Sequence, residues 1–247
     1  MKENYYMTDL QTPKAVLFLD FDGTITQRDA VDAILEAYAD PEWLRFESEW
    51  RAGRIGSRDC LRAQMALVRA SRKQLDALLD EIEIDEGLIA LLEMCALHNM
   101  RAHIISDGFD YCIRRILLRA SKRVRALLRG SRVCASRLEA RGHLWRTGFP
   151  FFQQTCGHGC ATCKPAVMRL LNRTNAPALF VGDGLSDRYA VDSANLVCAK
   201  NGLATYCNEN GIDHAPFSNL NEVAAHLDSW VVSRSFLKDE IEERASA

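Results

Sequence analysis

Three short, mostly apolar runs constrain this 247-residue sequence most, because a carboxylate or hydroxyl side chain follows each one. The runs are residues 15–19, 101–105 and 178–181, and the polar residues after them are Asp20, Ser106 and, one glycine on, Asp183. Such runs are typical of parallel strands buried on both faces. Helical patterns separate them, so the sequence predicts an α/β fold with a Rossmann-like parallel sheet and helices on both faces. Ligands of such folds bind where the strands end.

A helical block separates the first two strands. From residue 27 to residue 83, apolar residues recur at three- and four-residue steps, and no strand pattern interrupts them. Ser57 and Ser71 are expected to cap two of these helices. The sequence therefore predicts a catalytic core made of residues 14–26 and 84–232, and a small all-helical cap of residues 27–83 inserted after the first strand.

The rest of the core follows from the same patterns. One helix is expected from Ile113 to Leu128, ended by Gly130. Residues 132–138 and 143–147 can pair as a hairpin. A further helix begins at Lys164 and Pro165, a fourth strand covers residues 195–199, and a short helix is expected near residues 221–227.

Paired carboxylates at the strand ends indicate a divalent cation. Asp20 and Asp22 stand two residues apart just past a buried strand, where they repel each other unless a positive charge lies between them. Mg²⁺ prefers such oxygen ligands. Asp183 adds a carboxylate from another strand end, and Asp187 lies four residues further on. Taken singly, these are also compatible with solvated loop acids and a plain glycine turn.

Groups that bind anions are expected beside these carboxylates. Gly23 permits a sharp exit from the strand and exposes backbone N–H groups. Ser106 precedes a helix, where its hydroxyl and the following N–H groups can bind an anion, although an ordinary N-cap is equally compatible with it. Lys164 stands at a helix start, where lysine is electrostatically unfavourable. We expect it to neutralise a carboxylate and a bound phosphate.

Taken in order, these segments resemble the four motifs of the haloacid dehalogenase superfamily. The segments are Asp20–Thr24, Ser106, Lys164 and Gly182–Asp187, within residues 15–200. The helical insertion is similar to the small cap of the phosphoserine-phosphatase-like branch. The resemblance implies a Mg²⁺-dependent phosphatase that forms a phospho-aspartate on Asp20. Asp22 would be its general acid and base.

The resemblance also implies a role for each remaining site residue. Mg²⁺ would be held by the Asp20 side chain, the Asp22 backbone carbonyl and Asp183. The residues implied around the phosphate are Gly23, Thr24, Ser106, Asp107, Gly108 and Lys164. Asp187 would orient Lys164 or a metal-bound water, so Lys164 and Asp187 join Asp20 and Asp22 as catalytic residues.

The implied substrate is a small phosphorylated metabolite. Residues 22–26 (Asp-Gly-Thr-Ile-Thr), the cap segment 53–61 and the cysteine before Lys164 are similar to a subgroup of methionine-salvage phosphatases. The resemblance to this subgroup implies a sugar-like phosphate as the substrate. Phosphoserine is the alternative, but Ser106-Asp-Gly replaces the Ser-Gly-Gly common in phosphoserine phosphatases.

A cysteine-rich loop precedes Lys164. Cys156, Cys160 and Cys163 could bind a structural zinc ion. The candidates for its fourth ligand are Cys134, His143 and His158. An iron–sulfur cluster shares this spacing, but it is expected near the start of a chain. Unligated thiols in a loop that places Lys164 are the remaining interpretation.

Charge is nearly balanced over the whole chain but is unevenly distributed. Residues 111–150 carry eleven Lys or Arg residues and one acid, Glu139. A nucleic-acid-binding protein that uses the Arg-rich segment 114–146 is therefore the alternative from another class. The solvated face of an amphipathic helix explains the same charges without a partner.

The remaining expectations concern location and assembly. Residues 1–14 lack an apolar signal core. The apolar runs are too short to span a bilayer, and an odd cysteine count of nine fits a reducing compartment. We expect a cytoplasmic monomer or homodimer that binds neither a membrane nor nucleic acid.

Overall fold

A single seven-stranded sheet forms the centre of the computed structural model, which describes the backbone of residues 13–245 and the side chains of residues 13–233. The expectation of no signal peptide rests mainly on residues 1–12, which lie outside this range. The strands are β1 (Ala15–Leu19), β2 (Met100–Phe109), β3 (Val133–Arg141), β4 (Leu144–Gly148), β5 (Ala178–Gly182), β6 (Leu196–Ala199) and β7 (Ala215–Pro216). Their order is β4-β3-β2-β1-β5-β6-β7, and every neighbouring pair is parallel except β3 and β4.

Ten α-helices and two short 3₁₀ helices accompany this sheet within the described range. The α-helices are α1 (Ala30–Tyr38), α2 (Trp43–Arg51), α3 (Ser57–Ala66), α4 (Arg72–Leu79), α5 (Leu88–Leu97), α6 (Asp110–Arg119), α7 (Lys122–Leu127), α8 (Lys164–Leu171), α9 (Asn201–Glu209) and α10 (Leu220–Ala245). Alternate residues of β1 face opposite sides of the sheet. Phe18 packs in a cluster with α8 and α9 side chains, whereas Leu17 packs in another with α5 and α10 side chains. The predicted α/β class is confirmed.

The register of β1 brings the predicted polar residues to one edge of the sheet. Leu19 pairs with Ile104 on one side and with Val181 on the other. The backbone N–H of Asp20 continues the ladder by donating to the Val181 carbonyl at 2.9 Å. Asp20 therefore leaves the sheet beside the end of β5 and at the point where the pairing of β1 with β2 stops.

Helices α1 to α4 form the insertion between β1 and β2. An isolated bridge between Thr26 and Ile84 closes its base. Buried residues such as Ile34 and Met65 belong to the same apolar cluster as Leu17 of the sheet. We propose that residues 27–83 are the cap and that residues 14–26 with 84–232 are the core, with one apolar cluster continuous between them.

Local structure departs from two sequence-based predictions. The expected helix over residues 113–128 is two helices, because Ala120 is extended and the Ser121 side chain accepts a hydrogen bond from Val124 N to start α7. Ser57 is not an N-cap, since Gly56 occupies that position and Ser57 is the first residue of α3. Ser71 does cap α4, in a reciprocal capping box with Gln74.

Three other elements are longer than predicted. The hairpin of β3 and β4 forms, although its strands extend past the expected bounds. Strand β2 continues beyond Ile105 to Phe109, and the short helix near residues 221–227 is the start of the 26-residue α10.

A buried histidine in β2 makes stability depend on pH. His103 is 3% exposed and its Nδ1 accepts from Arg132 N at 3.0 Å. Burial, with the charges of Arg101 and Arg132, lowers its pKa from 6.5 to about 4. Between these pH values the unfolded chain binds a proton that the folded chain does not, so stability falls as pH falls.

We therefore expect His103→Asn, which keeps an acceptor near Nδ1, to flatten this dependence. The free energy of unfolding of the wild type should fall relative to the variant by up to about 3 kcal/mol between pH 6.5 and pH 4. Urea unfolding at several pH values measures the difference. The variant His143→Asn, at an exposed position, should show the same pH dependence as the wild type. If the free energy of unfolding of His103→Asn also changes with pH as that of the wild type does, His103 is not the source of the pH dependence.

Candidate active site

A buried lysine joins two carboxylates at the carboxyl edge of the sheet. Lys164, the first residue of α8, is 1% exposed, and its Nζ donates to Asp20 Oδ1 at 2.8 Å and to Asp187 Oδ1. Burial alone would lower the pKa of Lys164, but the charges of Asp187 and Asp20 hold it above its ordinary value. A lysine at a helix start is therefore stabilised by two anions that contact it directly.

Three aspartates lie close enough together to hold one metal ion. One carboxylate oxygen each of Asp20, Asp183 and Asp187 lies within 4.8 Å of the other two. Burial, followed by the charge of Asp187, raises the pKa of Asp20 well above its ordinary value and that of Asp183 to about 6. These crowded hard oxygens fit Mg²⁺, which would relieve their repulsion. Asp20 and Asp183 of this group are the two carboxylates of the predicted metal set, Asp187 lies with them, and the predicted ligation by the Asp22 backbone carbonyl stays a prediction.

Asp22 has its own partners on the side of the cap. Its Oδ1 accepts from Ala30 N at 3.0 Å, at the start of α1, and its Oδ2 accepts from Ser106 Oγ at 3.3 Å. Burial raises the pKa of Asp22 to about 6, although both hydrogen bonds oppose the shift. Such a carboxyl group can hold or release a proton near neutral pH. A Cβ at Gly108 would collide with Asp22 Oδ2, so the close contact of the Asp22 carboxylate with the backbone of residue 108 requires glycine there.

The loop after β1 is already hydrogen-bonded within itself. Gly23, at φ +70°, donates its N–H to Thr26 Oγ1 at 3.1 Å, and a Cβ there would collide with Asp183. Thr24 donates its hydroxyl to Asp183 Oδ1 at 3.2 Å. Thr24 therefore holds the Asp183 carboxylate and Gly23 leaves room for it, and the contact of both residues with phosphate stays a prediction.

A cavity of about 500 Å³ opens above these groups. Its floor includes Asp20, Asp22, Ser106, Asp107, Gly108 and Asp183. Cap residues form another wall, among them Asp29, Asp32, Glu47, Arg51, Ser57 and Gln64. Residues of α9, such as Asn201 and Tyr206, form a third. No pattern in the sequence distinguishes Asp29, Asp32, Glu47 and Gln64 as cavity residues, because only the folded chain brings them to the cavity.

Ser57 and Asp107 connect the cap to the core. Ser57 Oγ donates to Asp107 Oδ2 and accepts from Ala161 N at 2.9 Å. Asp107 Oδ1 also accepts from Thr162 N at 2.9 Å. The Asp107 side chain therefore binds the cap and a neighbouring loop, and its expected phosphate contact remains a prediction for its backbone N–H alone.

Ser57→Ala should therefore weaken both stability and catalysis. The variant removes a donor from a buried carboxylate and an acceptor from Ala161 N, which costs about 1–3 kcal/mol in unfolding free energy. It also frees the cap beside the cavity, so we expect KM to rise several-fold. Urea unfolding and steady-state kinetics measure these effects.

Ser71→Ala is the matched control for Ser57→Ala, because Ser71 caps α4 away from the cavity. It should cost about 1 kcal/mol and leave KM unchanged. Equal KM values for both variants would show that the Ser57 contact does not position the cap.

The cysteine-rich loop does not support the expected zinc site. Cys156 Sγ lies 3.7 Å from Cys160 Sγ. Yet across residues 13–233 the aspartate trio is the only group of three or more potential ligands placed to hold a metal. Of the candidate fourth ligands, His158 stacks on Tyr189 with ring centroids 3.9 Å apart. The spacing suited zinc, but the folded loop does not bring a full ligand set together.

Carboxylates neutralise part of the positive charge of the Arg-rich segment 114–146. Four of its arginines form ion pairs, namely Arg114 with Asp110, Arg115 with Asp80, Arg123 with Glu93 and Arg141 with Glu139. These pairs belong to the surface of α6, α7 and β3, as a solvated helix face would predict. No observation on these residues favours the nucleic-acid alternative.

Comparisons with known proteins agree with this geometry. A family model described as haloacid dehalogenase-like hydrolase matches residues 17–192. A curated 2-hydroxy-3-keto-5-methylthiopentenyl-1-phosphate phosphatase of Geobacillus thermodenitrificans (strain NG80-2) is 28% identical over 215 residues, covering 86% of this chain and 94% of the relative. One of the same name from Bacillus velezensis (strain DSM 23117 / BGSC 10A6 / LMG 26770 / FZB42) is 23% identical over 221 residues, covering 88% and 92%.

Solved structures share the fold. A phospho-aspartyl intermediate analogue of phosphoserine phosphatase aligns with a TM-score of 0.67 at 16% identity, covering 87% of this chain and 99% of that one. A probable phosphoserine phosphatase from Vibrio cholerae aligns with a TM-score of 0.67 at 17% identity, covering 92% and 68%. At these identities the likeness is one of fold alone.

The chain belongs to the haloacid dehalogenase-like hydrolase family, whose model matches most of its length. Within that family it is a phosphoric monoester hydrolase, as its curated relatives and the site geometry agree. Across the part of the chain that the structure describes, no helix is both long and apolar enough to cross a membrane.

Proposed function

We propose that the protein hydrolyses a small phosphomonoester through a covalent phosphate on Asp20, with Mg²⁺ as its cofactor. The observation that carries this proposal is the contact of buried Lys164 with Asp20 and Asp187. It places a cation beside a carboxylate that lines the cavity. Charge accumulates there during phosphoryl transfer, and a fixed cation stabilises it.

Each site residue has a role that fits its contacts. Asp20 attacks phosphorus, and Asp22, with a pKa near 6, protonates the leaving oxygen and then activates water. Lys164 and Ser106 bind phosphoryl oxygens, and Asp187 orients Lys164. Asp20, Asp183 and the Asp22 backbone carbonyl would hold Mg²⁺, which supplies charge neutralisation at the phosphoryl group. The cap excludes water when it closes over the cavity.

We propose further that the substrate has an uncharged tail. The cap wall carries Asp29, Asp32 and Glu47. Arg51 is the one basic residue that lines the cavity in the described range, and Glu47 pairs with it at 2.7 Å. The carboxylate of phosphoserine would be repelled by these acidic residues, which disfavours phosphoserine although its ammonium group is attracted to them.

A neutral polar group suits the same wall better. Gln64 is 2% exposed, lines the cavity and donates its Nε2 to Glu47 at 3.1 Å. Its amide can hydrogen-bond a hydroxyl or carbonyl of the substrate. The curated relatives are named for such a compound, the sugar-like 2-hydroxy-3-keto-5-methylthiopentenyl-1-phosphate. We propose this compound or a close analogue as the substrate, with phosphoserine as the alternative.

A panel of phosphorylated metabolites tests the proposal. With Mg²⁺ present, kcat/KM for the phosphate ester with an uncharged tail should exceed that for phosphoserine by about tenfold. Attraction of the phosphoserine ammonium only partly offsets the repulsion of its carboxylate, and tenfold corresponds to about 1.4 kcal/mol. Glu47→Gln should reduce this difference in kcat/KM between the two substrates. Glu49→Gln, on the same helix but paired with Arg54, should not.

Two results would contradict different parts of the proposal. A kcat/KM for phosphoserine equal to that for the phosphate ester with an uncharged tail would overturn the proposed substrate class. It would leave the phosphatase assignment in place. The absence of Mg²⁺-dependent activity on every compound, p-nitrophenyl phosphate included, would overturn the proposal as a whole.

We also propose a cytoplasmic location and a monomeric or homodimeric state. All nine cysteines are free thiols in the structure, which suits a reducing compartment.

A further inference from the structure

The loop of residues 156–163, here termed the cysteine loop, lies between the cap and the first residue of α8. Gly159 O accepts from Arg58 N at 3.1 Å at the start of α3. On its other side, Ala161 N and Thr162 N donate to Ser57 and Asp107. The loop ends at Cys163, directly before Lys164. Its conformation therefore determines how the cap and Lys164 are held.

Two thiols of this loop lie side by side. Cys156 Sγ and Cys160 Sγ are 3.7 Å apart, and Cys156 is half-buried while Cys160 is buried. Gly157 and Gly159 lie between them, the latter at φ +62°. A short movement would bring the two sulfurs to the bond length of about 2 Å.

Cys156 differs from the other cysteines in its electrostatic environment. Although burial opposes the shift, N–H groups of His158 and Cys160 and the neighbouring thiols lower the pKa of Cys156. Burial raises the pKa of each of the other eight. The thiolate is the form that hydroperoxides oxidise, and oxidation-sensitive cysteines typically lie beside a second thiol.

We propose that Cys156 and Cys160 form a reversible disulfide when the protein meets a hydroperoxide, and that this bond inactivates the phosphatase. Closing the bond draws Cys160 toward Cys156 and pulls on Ala161 and Thr162. Little room exists to absorb that movement, because Gly56 packs directly on the Gly159 backbone. The contacts to Ser57 and Asp107 are then lost or shifted, and Lys164 moves with the end of the loop.

The chemistry balances with hydrogen peroxide as the oxidant. The Cys156 thiolate attacks one peroxide oxygen, the O–O bond breaks, and the leaving hydroxide takes a proton to become water. Cys156 is then a sulfenic acid. Cys160 sulfur attacks the Cys156 sulfur, the S–O bond breaks, and the departing hydroxide takes the Cys160 proton as a second water. Two thiols are oxidised and one peroxide is reduced.

Peroxide treatment of the whole Mg²⁺-loaded protein tests this proposal. We expect the rate on p-nitrophenyl phosphate to fall about tenfold or more, since misplacement by about 1 Å can cost two orders of magnitude. Dithiothreitol should restore it. The intact mass should drop by two hydrogens, and fragmentation of the tryptic peptide Thr147–Arg169 should place the bond between Cys156 and Cys160.

Variants separate this disulfide from general oxidation. Cys156→Ser and Cys160→Ser should keep the untreated rate and lose the reversible inactivation. Cys207→Ser, a buried thiol of α9, should stay as sensitive as the wild type. A disulfide that forms without loss of rate would overturn the switch. Reversible inactivation that persists in Cys156→Ser, or a disulfide between other cysteines, would show that the Cys156–Cys160 pair is not the switch.

Discussion

Replacing Asp20 by asparagine is expected to lower kcat on p-nitrophenyl phosphate by about 10⁴-fold or more, as loss of a catalytic nucleophile does elsewhere. The amide has nearly the shape of the carboxyl group but cannot attack phosphorus. The amide oxygen can still accept a hydrogen bond from Lys164 Nζ, so we expect the fold to be retained. Steady-state kinetics with Mg²⁺, together with far-ultraviolet circular dichroism, measures activity and fold separately.

Asp213→Asn is the control for Asp20→Asn, because Asp213 is exposed and lies outside the cavity. Its kcat should equal that of the wild type. A folded Asp20→Asn protein with kcat within about tenfold of the wild type would remove the covalent step from the mechanism, since a nucleophile contributes far more than that.

Lys164→Met is expected to affect activity and stability together. Loss of the buried cation should lower kcat by about 10³-fold, in the range found when an anion-stabilising donor is removed. It also leaves Asp20 and Asp187 without their cation, which should cost about 3–5 kcal/mol in unfolding free energy. Urea unfolding without metal measures this loss, and added Mg²⁺ should recover part of it.

Lys122→Met provides the matched control for Lys164→Met, because Lys122 is exposed on α7. It should change neither kcat nor the free energy of unfolding by a measurable amount. A stable, active Lys164→Met protein would show that the lysine is not the cation of the site.

The parts of the fold that depend on local pattern were predictable from the sequence. The buried run before Asp20 is fully enclosed as β1, and parallel pairing with β2 and β5 brings Asp20, Ser106 and Asp183 to one edge. Chain order and strand handedness largely determine this arrangement once the strands are recognised.

Features that depend on distant contacts were not predictable. Ser57 has the position of a helix cap in sequence, but its partner Asp107 lies fifty residues further on. Apolar periodicity runs through Ala120 and Ser121, so it conceals the break that Ser121 creates by capping α7. Spacing alone also could not distinguish a zinc site from two adjacent free thiols at Cys156 and Cys160.

The carboxylates of the site were predictable as residues but not in their arrangement. All four aspartates were identified, yet which of their carboxylates lie together depends on side-chain direction. Asp22 turns toward Ala30 and Ser106, while Asp187 turns back to the Asp183 and Gly184 N–H groups and to Lys164. No periodicity in the sequence encodes these directions.

A crystal structure grown with Mg²⁺ and beryllium fluoride is the decisive test of Asp20 as the nucleophile, because the beryllium fluoride adduct of a carboxylate imitates an acyl phosphate. We expect a trifluoroberyllate bonded to an Asp20 carboxylate oxygen, contacted by Lys164 Nζ and Ser106 Oγ, with Mg²⁺ on Asp20 and Asp183. An adduct on another residue, or an Asp20 left unmodified at saturating beryllium fluoride, would contradict it.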